Sequence, residues 1–460
     1  MNSRIVTRLG EIVGKEHVIA DGEGLQEYLY DETEPELRPV AAPGCAVVKP
    51  ANSWEVSEIL KLANEESCPV VARGGGTGLC GAAVPIRESI VLSLERFNRI
   101  LDFDAKNFMI TLECGVTLKE MNEYLKEKEL LYFPCHSGDE NAQIGGMAAE
   151  NAGGSRACKH GVMRQNIRGL EVVLPSGKIE AFGGKLQKNN VGYDLMQLII
   201  GSEGTLGIIT KVVLRLYPEP LFNGTILVSF DNCDQATEAA TQTLQMGIVP
   251  LAIEYLDRSI ACRAAEYLEE KWPLKKGKVD LLFMLSEDSE DNLFNASGII
   301  EEICSNKGAV ESLVLDGTEE QERVMNIRTH TYLATKPFLV DTLDIAVPPA
   351  DMPRLMKGFT NIAEKYDAMI DSVGHVGDGN VHNNIYMVNG EVPFYYEDMK
   401  DELYRLAVRM GGTITGEHGI GKIRRKNIPL QLSQTQIDLM RGIKDLFDPN
   451  HILNPDTAIY

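Results

Sequence analysis

No run of this chain approaches the roughly 18 consecutive apolar residues that a membrane-spanning helix requires. Residues 195–209 come nearest, and Ser202-Glu203-Gly204 interrupts them. The opening residues, Met1-Asn2-Ser3-Arg4-Ile5-Val6-Thr7-Arg8, lack the apolar core of a secretion signal. Basic charge is scarce: 45 Lys and Arg stand against 67 Asp and Glu, a net charge of -22. That balance excludes a nucleic-acid binder, because phosphates would repel it. The cysteines, Cys45, Cys68, Cys80, Cys114, Cys135, Cys158, Cys233, Cys262 and Cys304, form no C-x-x-C pair. Scattered thiols exclude an iron–sulfur cluster held by this chain, and they read as reduced thiols of a cytoplasmic protein. No internal repeat or low-complexity tract interrupts the pattern.

At 460 residues the chain is too long for one simple core, so two domains are expected. Residues 1 to about 35 read as helical, ending at the acidic Asp31-Glu32-Thr33-Glu34. Two short apolar strands, 46–50 and 69–73, flank a helix over 54–65 whose Val56, Ile59, Leu60 and Ala63 share one face. Strand character returns at 89–94, 109–113, 170–174 and 208–216. Thr117 and Glu120 form a capping box at the start of a helix reaching Lys126. A boundary falls near Tyr217-Pro218-Glu219-Pro220. Beyond it, strands at 222–230, 279–285 and 344–347 alternate with helices at 233–245, 258–270 and 292–307, a second α+β domain. Residues 430–460 read as helix and tail.

Five glycines crowd into Arg73-Gly74-Gly75-Gly76-Thr77-Gly78-Leu79-Cys80-Gly81. Backbone without side chains approaches a diphosphate closely and offers it several N–H groups. Gly76, Gly78 and Gly81 match G-x-G-x-x-G, but a dinucleotide fingerprint must open a helix. Here Ala82-Ala83-Val84-Pro85 and a strand follow, so the nicotinamide reading is set aside. A purely structural turn stays as the alternative. A second match, 416–423, has Ile423 where a phosphate loop needs Ser or Thr for magnesium, so nucleotide hydrolysis is set aside as well.

The stretch Gly374-His375-Val376-Gly377-Asp378-Gly379-Asn380-Val381-His382-Asn383-Asn384 precedes Glu417-His418. Two imidazoles and a carboxylate, His375, His382 and Glu417, suit a divalent cation (Zn²⁺, Fe²⁺ or Mn²⁺) with coordination positions left open. His382 and Asn384, two apart on a strand, face the same way. Core histidines with ordinary hydrogen-bond partners are the alternative. His418 suits a general base, with a fourth metal ligand as its alternative. Arg328 is the leading anchor for a substrate carboxylate, against a solvated surface arginine. Tyr332 and Lys336 are weaker candidates.

Six motifs occur in a fixed order: the glycine loop, N-A-G-G at 151–154, G-S-E-G-T-L-G at 201–207, G-H-x-G-D-G-N-x-H at 374–382, G-E-H-G-I-G at 416–421 and I-L-N-P at 452–455. With them the chain resembles, from about Ala42 to Pro455, the FAD-linked D-2-hydroxyacid dehydrogenases of the vanillyl-alcohol oxidase type. That branch holds D-lactate dehydrogenases, the flavin subunit of glycolate oxidase and D-2-hydroxyglutarate dehydrogenase. The resemblance implies an α+β fold. Residues 1–40 form a helical lead and 41–219 a two-subdomain FAD-binding domain. An α+β substrate (cap) domain with an antiparallel sheet spans 220–410, and a C-terminal segment, 411–460, packs back on the FAD domain.

It also implies non-covalent FAD, since the loop holds Thr77 and Gly78 and no histidine; His136 and His160 read as local hydrogen-bonding groups. The pyrophosphate would lie on Arg73, Gly74, Gly75, Gly76, Thr77 and Gly78. Gly145, Gly146, Asn151, Gly153 and Gly154, with Glu203, Gly204, Gly207 and Ile208, would flank the rest of the cofactor, and Asn454 would approach the flavin ring. The family's metal falls on His375, His382 and Glu417, and its substrate-anchoring arginine on Arg328; beside them His418 stands as the base, with Asn384 and Tyr332 as further substrate contacts. The reaction implied is oxidation of a D-2-hydroxy acid, D-lactate foremost, to the 2-oxo acid. Some relatives have a lysine near the position of Thr342; its absence here argues against carrying over a dicarboxylate substrate. Electrons would pass to a partner: an electron-transferring flavoprotein, a quinone or an iron–sulfur subunit. A non-catalytic flavin-binding subunit and a flavin-free metal-binding protein are the rival classes.

Overall fold

The computed structural model describes residues 1–128, 131–135, 138–315 and 317–459. Two compact units divide the chain. The first comprises Met1–Gly153, Val162–Glu219 and Glu417–Tyr460; the second comprises Gly154–Gly161 and Pro220–Gly416.

Among its described residues the first unit holds a four-stranded sheet, a five-stranded sheet and a two-stranded pair, Leu131–Tyr132 with Tyr217–Pro218. Strands Ala46–Val48, Ile90–Ser93 and Val70–Arg73 lie side by side and parallel, in that spatial order. The strand after the glycine loop therefore inserts between the two that precede it. Ala46–Val48 and Ile90–Ser93 are buried throughout, as expected where both faces of a parallel sheet are covered. Helix Ser53–Glu65 packs Val56, Ile59, Leu60 and Ala63 into that core. Its cap is reciprocal: Asn52 accepts from the Glu55 N–H, and the Glu55 carboxylate accepts from the Ala51 N–H. The second sheet is antiparallel, in the order Ile100–Asp104, Met109–Glu113, Ile208–Arg215, Ile167–Val173, Ile179–Gly183. The Thr117–Glu120 box opens a helix, Leu118–Lys128, with hydrogen bonds in both directions.

One expectation is corrected at the N-terminus. The helix there is Ser3–Val13 and does not run to residue 35. Gly14 takes φ +91°, which an L side chain rarely adopts, and stops it. The chain then enters a short strand, Val18–Ile19, antiparallel to Ala46–Val48.

The second unit is built on a seven-stranded antiparallel sheet. Its order is Glu311–Leu315, Phe222–Phe230, Val279–Glu287, Ala252–Asp257, Ile370–His375, Asn380–Tyr386, Leu339–Ala346. One face carries Leu227, Leu282, Leu256 and Val373. Helices Arg258–Tyr267 and Thr318–Thr329 pack Ile260, Ala261, Ala264, Val324 and Ile327 onto it. The opposite face receives helix Glu290–Asn306, whose Leu293 lies against Gly224. Among the described residues, no helix is long and apolar enough to cross a membrane.

Candidate functional site

Strand register makes a polar row on the face that carries Leu256 and Val373. Glu254 pairs with His375, Val373 with His382, His382 with Asp344, and Asn384 with both Asp371 and Thr342. Side chains alternate along a strand, so all of these point the same way. The turn between His375 and Asn380 makes the geometry possible. Gly379 takes φ +89°, and a Cβ there would lie 2.0 Å from the Val347 carbonyl oxygen.

His375 and His382 are both buried, their rings perpendicular with centroids 5.4 Å apart. A ligating nitrogen of one lies within 4.8 Å of a ligating nitrogen of the other. Each imidazole has a carboxylate on its Nδ1 side: Glu254 Oε1 at 2.7 Å from His375, and Asp344 Oδ1 at 3.5 Å from His382. Asp344 is itself held by Asn380 Nδ2 and Thr415 Oγ1, each donating at 2.8 Å. A carboxylate hydrogen-bonded to one ring nitrogen, as Glu254 is to His375, is the arrangement that leaves the other nitrogen to a cation. The donor set therefore fits a divalent metal.

Arg328 comes from the last turn of helix Thr318–Thr329 and donates Nε (2.7 Å) and Nη2 (2.6 Å) to Glu254 Oε2. It is not a solvated surface arginine: its side chain is 13% exposed and that of Glu254 0%. Burial alone would raise the Glu254 carboxyl, but His375 and Arg328 more than offset it and hold it below the usual range. Asn384 accepts from Thr342 Oγ1 at 3.2 Å and donates to Asp371 Oδ1 at 3.2 Å. Tyr332 is half-buried on the next short turn of helix, with Lys336 Nζ 5.5 Å from its ring centroid. Glu254 and Asp344 were missed by sequence reasoning. The available signal was a lone carboxylate inside the apolar run Leu251-Ala252-Ile253-Glu254-Tyr255-Leu256.

The remaining expected residues lie in the first unit, apart from Gly154, which opens the Gly154–Gly161 segment of the second. From Gly74 to Ser89 no helix forms, which fits the rejection of a dinucleotide fingerprint. The glycine loop runs alongside the Gln143–Gly146 turn: a Cβ on Gly74 would lie 3.6 Å from Gly146 Cα, and one on Gly75 2.6 Å from the Asn141 carbonyl oxygen. A Cβ on Gly145 would collide with Cys114, whereas one on Gly146 meets nothing within 4 Å. Beside that opening, the buried Gln143 has a side-chain oxygen with no hydrogen-bond partner. An open backbone cradle with an orphaned polar atom fits a polar cofactor that approaches main chain closely.

Other residues of this set brace the cradle. Arg73 spends its guanidinium on the carbonyls of Glu27, Tyr28, Tyr30 and Gly74, and crosses Gly76 (φ +76°), where a Cβ would lie 2.3 Å from its nitrogens. Asn151, left-handed at φ 56°, accepts from the Arg164 N–H. Glu203 accepts from Ile420 N at 2.9 Å and Gly421 N at 2.7 Å. Burial raises its carboxyl, opposed by those two N–H groups and by Lys422, which burial lowers to about 8. Asn454 accepts from the Ala72 N–H at 2.8 Å and donates to the Glu203 carbonyl at 2.6 Å, stitching the first-sheet strand to the Glu203-Gly204 turn. A Cβ on Gly207 would meet Val172 Cγ1 at 2.5 Å, so Ile208 starts its strand in close packing. Glu417 lies against Gly153, where a Cβ would be 2.3 Å from its Oε2. His418 follows it, half-buried. Thr77 is half-buried within the loop. His136 lies outside the described residues.

Two family models match the chain: an FAD binding domain over residues 45–183, and the FAD linked oxidases, C-terminal domain, over residues 220–458. The chain is similar to a D-lactate dehydrogenase of Archaeoglobus fulgidus, with 39% identity over 94% of this chain and 95% of that one. It is similar to the glycolate oxidase subunit GlcD of Bacillus subtilis, with 34% identity over 97% and 95%. It is also similar to a D-lactate dehydrogenase of Anaerostipes hadrus, with 31% identity over 99% and 97%. Among solved structures, 4-ethylphenol oxidase from Gulosibacter chungangensis shares the fold, at TM-score 0.79 and 19% identity, covering 100% of this chain and 97% of that one. So does p-cresol methylhydroxylase, at TM-score 0.79 and 17% identity over 99% and 96%. The chain belongs to the FAD-linked oxidases, flavoprotein oxidoreductases of the vanillyl-alcohol oxidase fold.

Proposed function

We propose that the chain oxidises a D-2-hydroxy acid, D-lactate foremost, to the 2-oxo acid. The observation that carries this reading is the buried row Arg328–Glu254–His375 beside His382–Asp344. It offers a cation site and a carboxylate anchor on one sheet face. Relatives named D-lactate dehydrogenase at 39% and 31% identity support the substrate class. Others named glycolate oxidase subunit keep glycolate as the second candidate.

In this reading the first unit holds FAD non-covalently and the second holds substrate. His375, His382 and Glu417 would ligate the divalent cation (Zn²⁺, Fe²⁺ or Mn²⁺). When bound, FAD supplies the hydride acceptor and the cation supplies Lewis-acid polarisation of the hydroxyl. Arg328 binds the substrate carboxylate and fixes its orientation, with Asn384 and Tyr332 beside it. His418 takes the hydroxyl proton. Thr342, opposite Asn384, is neutral, which favours a monocarboxylate over a dicarboxylate. Electrons pass on to a separate acceptor, for which we favour an electron-transferring flavoprotein over a quinone or an iron–sulfur subunit. The nine cysteines, none disulfide-bonded, favour a cytoplasmic location.

Dye reduction by the purified flavoprotein with a panel of D- and L-2-hydroxy acids tests the proposal. D-Lactate should be oxidised and L-lactate refused. In His382→Ala, turnover should vanish while the flavin spectrum persists. A silent panel, or a variant that keeps full activity without metal, refutes it.

A further inference from the structure

Glu254 is fully buried within strand Ala252–Asp257, with Ile253 and Tyr255 buried on either side. Holding an ion there costs several kcal/mol unless it is paired and fully hydrogen-bonded. The carboxylate meets that requirement with two different partners, one per oxygen: His375 Nδ1 on Oε1, and Arg328 Nε and Nη2 on Oε2. The two partners come from separate elements. His375 ends the neighbouring strand, directly across from Glu254 in register, and Arg328 reaches in from the helix above the sheet. Asp344 does not play the same part for His382: it is 3.5 Å away, and its two oxygens accept from Asn380 and Thr415.

We propose that Glu254 is a positioning residue that orients the His375 imidazole and the Arg328 guanidinium together, tying the cation site to the substrate-carboxylate anchor. The proposal rests on the reading of the site given above. As acceptor for the Nδ1–H, the carboxylate fixes the tautomer that leaves the His375 Nε2 lone pair for a cation. As acceptor for Nε and one Nη2 hydrogen, it uses one edge of Arg328. The other edge, Nη1 with the second Nη2 hydrogen, remains a planar fork of the kind that binds a carboxylate through two parallel bonds. A rotation of Glu254 moves both partners at once, so cation affinity and substrate affinity are linked through one side chain.

The test compares wild type with Glu254→Gln and Glu254→Asp. The glutamine keeps the shape but presents an amide N–H₂ to one of two donors. The aspartate keeps the charge, so Arg328 stays neutralised, but retracts the carboxylate by one methylene from a two-sided contact. Mn²⁺ and Zn²⁺ affinity is read by chelator competition on the FAD-loaded protein without substrate, and KM and kcat for D-lactate by dye reduction. Flavin per protein and near-ultraviolet circular dichroism check that each variant is folded. The proposal expects metal affinity to fall roughly 10- to 100-fold, as for other partners of metal-bound histidines. It also expects KM to rise about tenfold or more, with flavin content unchanged. If Glu254→Gln fails to fold, Glu254→Asp carries the same expectation at reduced size. Folded variants with metal affinity and KM both within twofold of wild type overturn the positioning role alone. A wild type that binds neither metal nor hydroxy acid overturns the site reading and this inference with it.

Discussion

Replacing Arg328 by methionine keeps an unbranched stem as far as the position of Nε and removes the guanidinium. Glu254, 0% exposed, is then left with His375 as its one remaining partner among the contacts described, and Oε2 loses both donors. Breaking one side of a buried ion pair costs about 3–5 kcal/mol; the surviving His375 contact places the expectation near 3 kcal/mol. That is a large fraction of the stability of a typical domain. Two units need not unfold together, so the probe must report on the second one. Trp272 serves: it lies in the second unit, buried, with its N–H on Asp280 Oδ2 at 2.9 Å, whereas Trp54, the other tryptophan, is exposed in the first. Urea unfolding followed by Trp272 fluorescence in a Trp54→Phe background therefore measures the loss where it occurs. If Arg328 anchors the substrate as proposed, the same variant removes two charge-assisted bonds to the substrate carboxylate, each worth about 1.5–3 kcal/mol, so KM should rise by two orders of magnitude or more. Arg328→Lys separates the duties. Its ammonium still neutralises Glu254, so most of the stability returns, but it has no planar fork, so KM stays high. A methionine variant that unfolds within 0.5 kcal/mol of wild type would refute the ion-pair argument. A lysine variant with native KM would refute the anchoring argument.

Gly146→Leu should lower flavin content sharply without harming the fold, because its Cβ enters open space beside Gln143 and leucine is the better helix former by about 0.5–1 kcal/mol; flavin-to-protein absorbance against thermal unfolding of the flavin-free form decides it. Retained flavin at wild-type affinity would show that the opening is not part of the cofactor cradle. Asp257 gives the pH prediction. Burial pushes its carboxyl from 3.8 to about 7, opposed by the Ser372 N–H and the Tyr255 hydroxyl. The folded state then binds a proton more tightly than the unfolded chain, so this group's contribution to stability is present below pH 4 and lost as pH rises through 7. Asp257→Asn should flatten the slope of stability between pH 4 and 7, measured by denaturant midpoints; an unchanged slope would refute it.

The local half of the site was legible in the sequence and the non-local half was not. Gly377 and Gly379 announce a turn, so the return of His382 toward His375 followed from spacing, and Val381–Tyr386 alternation put Asn384 on the side of His382. The helix cap at Thr117 is equally local, and it formed where the residues predicted. Glu254 was invisible as a site residue because its partners lie 74 and 121 positions away. Only the order of strands in the sheet brings them together, and no local pattern encodes strand order. The same limit hid the insertion of Ile90–Ser93 between Ala46–Val48 and Val70–Arg73. At the N-terminus the expected apolar side was Leu9, Ile12 and Val13; Leu9 and Val13 are buried with Ile5, Ile12 is half-buried, and Gly14, a single residue at positive φ, stops the helix there.

Register is also what makes the site robust in one direction and fragile in another. Glu254, His375, His382, Asp344 and Asn384 share a face because each strand pairs without a slip between them. A one-residue shift of Asn380–Tyr386 would turn His382 and Asn384 to the opposite face and bring Val381 and Asn383 into their places. At Gly379 any side chain would strike the Val347 carbonyl, so the turn that joins the two strands needs glycine at this position. Val347 follows strand Leu339–Ala346, which carries Asp344. The residue that permits the turn is thus packed against the end of the strand that supports His382, and the spacing of the two imidazoles is fixed by backbone contacts before any ligand arrives. A site assembled this way is preorganised by the sheet.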